Sequence, residues 1–211
     1  MSDLTRIDSA WAWQPYRPTA TSPWDLKKAG HLHRRAGFGA DLGELESTVA
    51  AGPERAVDRL LEGRPDPAGD ALWATMSHAT AQNNAGDQLA ALWLYRMLYA
   101  THPFRERLTL FWHNHFATSN LKVQNAGFML GQYETLRRNA LGDFRTMVGD
   151  ISRDPAMLVW LDTIRSTRRQ PNENYARELM ELFTLGIGNY TETDIREAAK
   201  AFTGWRLDAG R

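Results

Sequence analysis

The chain lacks cysteine, net charge and long apolar runs, and each absence excludes a class of protein. Without cysteine among its 211 residues there is no disulfide framework, no thiolate zinc site and no cysteine nucleophile. Lysine plus arginine number 25, as do aspartate plus glutamate, and the net charge of zero disfavours nucleic acid as a partner. No apolar run approaches the roughly 18 residues that would predict a transmembrane segment.

The amino terminus differs in composition from the rest of the chain. Its first residues do not contain a basic stretch followed by an apolar one, so the sequence predicts no signal peptide. A cytoplasmic location is therefore expected. Residues 1–22 contain Trp11, Trp13 and Tyr16 but no helical period, which predicts an extended arm. Residues 23–211 are expected to form one helical domain.

Helix signals dominate that domain, and no segment alternates with period two for long enough to predict a strand. Ser22-Pro23, Asp41 with Glu44, Gly52-Pro53, Asp154-Pro155 and Thr191 with Asp194 are typical of helix starts. The stretch from Gly63 to Gly86, rich in Pro, Gly, Asn and Asp, is expected to be a long loop. The pattern predicts an all-α fold, an irregular multi-helix bundle around two central apolar helices.

Those two helices are residues 88–100 and 103–116. The first, QLAALWLYRMLYA, is apolar on nearly every side, which predicts a buried helix. The second carries Phe104, Leu108, Phe111 and Trp112 on one stripe at helical spacing. Further helices are predicted over 123–140, 143–153, 155–161 and 172–185.

The second central helix contains the densest polar cluster, His113-Asn114-His115. The two histidines lie about 200° apart on a helix, so they cannot both chelate one ion without partners from elsewhere. His115 shares the apolar stripe, which favours a core histidine whose ring N–H is bonded to a neighbour; a site role needs partners from another segment. Glu106, on the stripe of His113, is expected to be a solvated acid.

A second polar cluster spans Asn172–Glu181. Glu173, Arg177 and Glu181 follow each other at intervals of four, a ladder typical of a solvated helix face. Glu178 adds another acid, so the cluster crowds acids around a single arginine, which is unfavourable without a cation or a second basic element. The two histidines of the other cluster could provide that element.

Known metal and nucleotide motifs are missing. No glutamate is followed by histidine three residues later, and there is no His-Glu-x-x-His, P-loop or dinucleotide fingerprint. Arg34-Arg35 precedes Gly37-Phe38-Gly39, and an inward arginine there could bind an anion or lock an acidic cluster.

Five sequence blocks, in this order, resemble the bacterial "domain of unknown function 1800" family: His33–Gly39 (HRRAGFG), Leu110–Thr118 (LFWHNHFAT), Ser152–Met157 (SRDPAM), Pro171–Gly186 (PNENYARELMELFTLG) and Ala201–Trp205 (AFTGW). The resemblance covers about residue 26 to the end. It implies a mainly helical bacterial protein of unestablished activity. It also implies a longer domain, because members usually continue past the last block. A truncated chain is therefore expected, with apolar surface left open for association.

Two hypotheses of function remain open. The first is metal-assisted hydrolysis, with His113, His115, Glu178 and Glu181 as catalytic residues and as ligands of any divalent metal ion. Arg34, Arg35, Asn114 and Arg177 are its candidate substrate-binding residues. The second is a non-catalytic helical binding or assembly module, whose polar clusters form a buried ion-pair network.

Overall fold

Helices form the whole fold in the part of the chain that the structure, a computed structural model, describes: Ala10 and residues 13–207. Within that part there is no strand, only two isolated bridges, Thr19–Ser22 and Thr167–Gln170. The all-α prediction is confirmed. None of the helices described is long and apolar enough to cross a membrane. Trp11 of the predicted arm lies outside the described residues.

The chain divides into two compact units, Met1–Gly63 and Arg64–Arg211. Three helices make up the described core of the first unit: α1 (Leu26–Ala36), α2 (Leu42–Ala51) and α3 (Pro53–Glu62). The buried residues Ala29, Ala56 and Leu60 lie in this core. His33 on α1 and Thr48 on α2 share a buried hydrogen bond of 2.9 Å, which joins these two helices.

The first helix begins three residues later than its sequence signal predicts. Asp25, not Ser22, caps α1, because its carboxylate accepts from the backbone N–H of Lys28 at 2.9 Å. Ser22 instead pairs with Thr19 across a bridge, and its hydroxyl accepts from Lys28 Nζ at 2.7 Å.

The second unit contains the longer helices and the larger core. Its helices are α4 (Pro67–Gln82), α5 (Gly86–Tyr99), α6 (Pro103–His115), α7 (Asn120–Val123), α8 (Ala126–Asn139), α9 (Phe144–Ile151), α10 (Pro155–Trp160), α11 (Asn174–Glu178) and α12 (Glu192–Ala201), with a 3-10 turn (Thr163–Arg165) and a π-helix (Leu179–Thr184) between them. The starts predicted at Asp154 and Thr191 are confirmed, the latter as a capping box with Asp194.

The prediction of a long loop between Gly63 and Gly86 is wrong, because α4 occupies most of that stretch. Asp66 caps the helix by accepting from the backbone N–H of Gly69 at 2.9 Å, and Pro67 occupies the first helical position. The inward face carries the small polar residues Ser77 and Thr80, which are 3% and 5% exposed. A buried face built from such residues leaves no apolar period in the sequence.

The prediction that residues 88–100 form a buried helix is also wrong. Helix α5 is present, but Leu94, Tyr95, Leu98 and Tyr99 on it are between 50% and 66% exposed. Only one side of α5 packs inward, through Leu89 and Arg96. The main apolar cluster lies elsewhere in the unit and contains Phe116, Leu136, Met147, Ile151, Met157, Tyr175 and Phe183.

Two predicted helices differ from the observed ones. The helix expected over 123–140 begins only at Ala126, as α8, because Gln124, which ends the short helix α7, adopts a left-handed conformation with φ +53°. The helix expected over 172–185 continues from α11 into a π-helix, which widens the turn and changes which side chains share a face. The ladder spacing of Glu173, Arg177 and Glu181 is therefore not kept across this junction.

Candidate functional site

A cavity of about 250 Å³ opens among helices α4, α5, α6 and α8 and the segment before α7. Its wall is aromatic and apolar. The Tyr133 ring from α8 lies between two indoles, 4.9 Å from that of Trp73 and 5.2 Å from that of Trp93. Leu89, Ala90 and Met129 complete this wall. Such a surface suits the faces of a flat apolar molecule.

Four polar residues also line the cavity: His113, Thr118, Ser119 and Asn120. The His113 ring packs edge-on against Trp93, with ring centres 4.9 Å apart. Burial lowers the pKa of His113 from its usual 6.5, so the imidazole is neutral at pH 7. A neutral imidazole offers one hydrogen-bond donor and one acceptor.

Gly86 at the start of α5 allows Asn120 to approach the helix closely. A Cβ at residue 86 would collide with Asn120 Nδ2. The other amide atom of this side chain, Oδ1, accepts from the backbone N–H of Asn125 at 3.1 Å. This bond and the glycine together hold the Asn120 amide at the cavity edge.

A buried ion-pair network lies behind the aromatic wall. Glu106 on α6 is fully buried, which corrects the expectation of a solvated acid. Its carboxylate accepts from Arg137 Nε at 2.7 Å and from the Tyr133 hydroxyl at 2.9 Å, and Arg96 Nε lies 3.4 Å away. Burial, and then the Glu106 charge, raise the pKa of Tyr133, so its hydroxyl stays protonated and donates.

The same network holds the Trp73 indole in place. The guanidinium of Arg96 lies 4.6 Å from the centre of the Trp73 ring, a cation–π contact. Arg96 also donates to Asp70 at 2.6 Å, and the Trp73 indole N–H donates to Glu134 at 2.6 Å. Two of the three large aromatic side chains of the cavity are therefore fixed by charged groups outside it.

His115, the second histidine of the predicted site, is a core side chain. Its Nε2 lies 3.0 Å from the carbonyl oxygen of Phe183, and because a carbonyl only accepts, Nε2 carries the proton. The ring packs among Trp112, Phe116 and Phe144. Of the four predicted catalytic residues, only His113 lines the cavity.

The partners of the Asn172–Glu181 cluster lie at the start of α12 and just before it. Arg177 donates to Glu192 through both terminal guanidinium nitrogens at 2.8 Å and lies 3.5 Å from Glu173. This bidentate pair lowers the pKa of Glu192. Glu181 accepts from the Tyr190 hydroxyl at 2.9 Å. Within the described residues, no hydrogen bond or ion pair involves the side chain of Glu178.

The remaining substrate-binding candidates are exposed. Arg34 and Arg35 belong to α1 of the first unit, and neither forms an ion pair with any described residue. Asn114 lies on the exposed side of α6. Across residue 10 and residues 13–207, no group of three or more His, Asp or Glu residues is arranged to hold a metal ion.

Residues 31–211 match a family described as "Protein of unknown function (DUF1800)". The match covers most of the chain. The chain belongs to the DUF1800 family. Neither a curated protein nor a solved structure matches it. The family gives no activity, so the function of this DUF1800 chain has to be argued from its own residues.

Sequence reasoning on this DUF1800 chain found one residue of the cavity, His113, and missed its other polar groups and its aromatic wall. Trp73 lies in the stretch expected to be a loop, and Trp93 in the helix expected to be buried. Tyr133 carries no motif, since its role depends on Glu106, which lies 27 residues earlier. The only signal for these residues is the aromatic content of the three helices, which core packing explains equally well.

Proposed function

We propose that this chain is a binding module that holds a small, flat, largely apolar molecule in the cavity beside His113. The observation that carries the proposal is the cavity itself, with a volume of about 250 Å³ and a lining of aromatic side chains and four polar residues. A cavity of about 150 Å³ lined by apolar side chains already takes up benzene, so this one has room for a bicyclic ring.

The buried network supports binding because it fixes the walls in advance. Glu106 ties α6 to α8 through Tyr133 and Arg137, and to α5 through Arg96. A site whose walls are already in place loses less entropy on binding. Fixing the cavity walls would also give Glu106 a role that an apolar residue, which would pack there at no electrostatic cost, could not perform.

Indole tests this proposal, with two phenylalanine variants on α5. Ala90 lines the cavity and Ala91 does not, although both side chains are exposed and adjacent in the chain. The added ring in Ala90→Phe fills the space, so we expect indole to bind at least about tenfold more weakly. Calorimetric titration measures the affinity.

Ala91→Phe is the matched control and should bind indole like the wild type. If both variants bind equally, indole binds outside the cavity and the proposal is wrong. A wild-type chain that takes up no indole at millimolar concentration also contradicts it.

Metal-assisted hydrolysis by His113, His115, Glu178 and Glu181 stays a separate prediction. It requires a stoichiometric divalent metal ion in the purified protein and its loss in His113→Ala, both measurable by elemental analysis. Metal present at one ion per chain and lost in the variant would support hydrolysis over simple binding. Metal-free protein that still binds indole supports the binding module.

A further inference from the structure

The hydroxyl of Thr118 is the cavity group whose hydrogen-bonding role is most tightly set by its surroundings. Thr118 is 8% exposed and donates to Oε1 of Gln132, a fully buried side chain. Its Oγ1 also lies 4.0 Å from Sδ of Met129, another residue that lines the cavity. Thr118 therefore lines the cavity, whereas Gln132, which receives its proton, does not.

Asp154 fixes the direction of this bond through Gln132. Gln132 Nε2 donates to Asp154 Oδ1 at 3.0 Å, and the backbone N–H of Met157 donates to the same oxygen at 2.9 Å. An ionised carboxylate only accepts, so the amide must turn its NH₂ toward Asp154 and its oxygen toward Thr118. Burial raises the pKa of Asp154 to about 6, and the group is therefore ionised at pH 7.5.

We propose that Thr118, oriented by Gln132 and Asp154, acts as a hydrogen-bond acceptor in the cavity and selects flat aromatic ligands that carry an N–H or O–H donor. The inference rests on the proposed binding function and names its ligand class. A hydroxyl has one proton and two lone pairs, and the proton is committed to Gln132. A ligand group with only lone pairs would meet the Thr118 oxygen without a proton between them.

The other groups of the cavity favour the same ligand class. Trp73, Trp93 and Tyr133 provide faces for an aromatic ring. His113 is neutral and offers no charge to compensate an ionised ligand. Burying an unpaired charge is far more costly than burying one neutral N–H that is satisfied by Thr118.

Indole and benzofuran form the test pair, because they have the same bicyclic shape and differ by an N–H in place of a ring oxygen. At pH 7.5 we expect the wild type to bind indole about tenfold more tightly than benzofuran. Thr118→Val, which removes the hydroxyl at nearly constant shape, should bind the two equally. Thr118→Ser keeps the hydroxyl and should keep the preference.

Thr75→Val is the matched control, because Thr75 is exposed on α4 and does not line the cavity. It should leave both affinities unchanged. An intermolecular NOE between the indole N–H and the Thr118 methyl group reports the contact in the wild type without any variant. That NOE should be present in the indole complex.

The outcomes separate the two proposals. Equal wild-type affinities for indole and benzofuran, a preference that persists in Thr118→Val, or a missing NOE overturns the role of Thr118 but leaves the binding function standing. If neither compound binds, the binding function is wrong and the ligand class is lost with it. A purely structural role for Thr118 would weaken both affinities together and leave their ratio unchanged.

Discussion

Glu106→Gln is expected to lower the free energy of unfolding by about 3–5 kcal/mol, the usual cost of removing one partner of a buried ion pair. The substitution keeps the shape of the side chain and removes its charge. Arg137 then loses the carboxylate that its Nε contacts at 2.7 Å, and Arg96 keeps only Asp70 inside the network. Urea unfolding followed by circular dichroism measures the loss.

Asp70→Asn provides the matched control, because it removes the other carboxylate that binds Arg96. The Asp70 side chain is 62% exposed, whereas that of Glu106 is fully buried. Solvent screens the exposed pair, so we expect a loss of under about 1 kcal/mol. The double change Glu106→Met with Arg137→Met removes both charges, and it should be less destabilising than Glu106→Gln alone. Equal losses for Glu106→Gln and Asp70→Asn would show that burial of the charge does not matter.

The helix caps explain why much of the fold could be predicted from sequence. Asp41, Asp154 and Thr191 each accept from a backbone N–H three residues later, a bond that depends only on neighbouring residues. The same local chemistry at Asp66 and Pro67 was present in the sequence. The Pro, Gly, Asn and Asp content of this stretch nevertheless favoured a loop, although composition is a weaker indicator than a helix cap.

Burial was predictable only where it follows from one helix alone. Glu106 is buried because Arg137 and Tyr133 come from a helix about 30 residues later, and no spacing on α6 records that. Likewise, the apolar composition of α5 does not indicate that Leu98 and Tyr99 are exposed to solvent. Pairing between distant segments decides both cases.

The candidate site shows the same limit. His113 was recognisable because it belongs to a run of polar residues, His113-Asn114-His115, between Trp112 and Phe116. The path from Thr118 through Gln132 to Asp154 spans 14 and then 22 residues and joins three segments that share no pattern. Equally, the histidines expected to answer the acids of the Asn172–Glu181 cluster do not do so: Glu181 accepts from Tyr190, and Arg177 pairs with a further acid, Glu192, 15 residues away. The sequence indicated that these acids need partners but not which residues are the partners.

Substitution of Asp154 is expected to have the second large effect on stability, and here removal of a buried charge stabilises the folded state. The side chain is 5% exposed, and burial raises its pKa from 3.8 to about 6 against the opposing hydrogen bonds from Met157 and Gln132. A carboxyl whose folded pKa is raised favours the folded state only in its protonated form. The contribution of Asp154 to the free energy of unfolding is therefore most favourable below pH 3.8, falls as the pH rises from 3.8 to about 6, and stays reduced above 6.

Asp154→Asn is expected to remove this penalty, because an amide is neutral at every pH and still caps α10 through its oxygen. The gap between 3.8 and about 6 is about two pH units, and at about 1.4 kcal/mol per unit the variant should gain about 3 kcal/mol at pH 7 relative to its effect at pH 3.5. Urea unfolding at the two pH values measures it. Asp143, also a helix cap, is exposed and has a lowered pKa through its bonds to Thr146, so Asp143→Asn should change stability in the opposite direction with pH. Parallel pH dependence in the two variants would mean that the cap bond, and not burial of the charge, controls both.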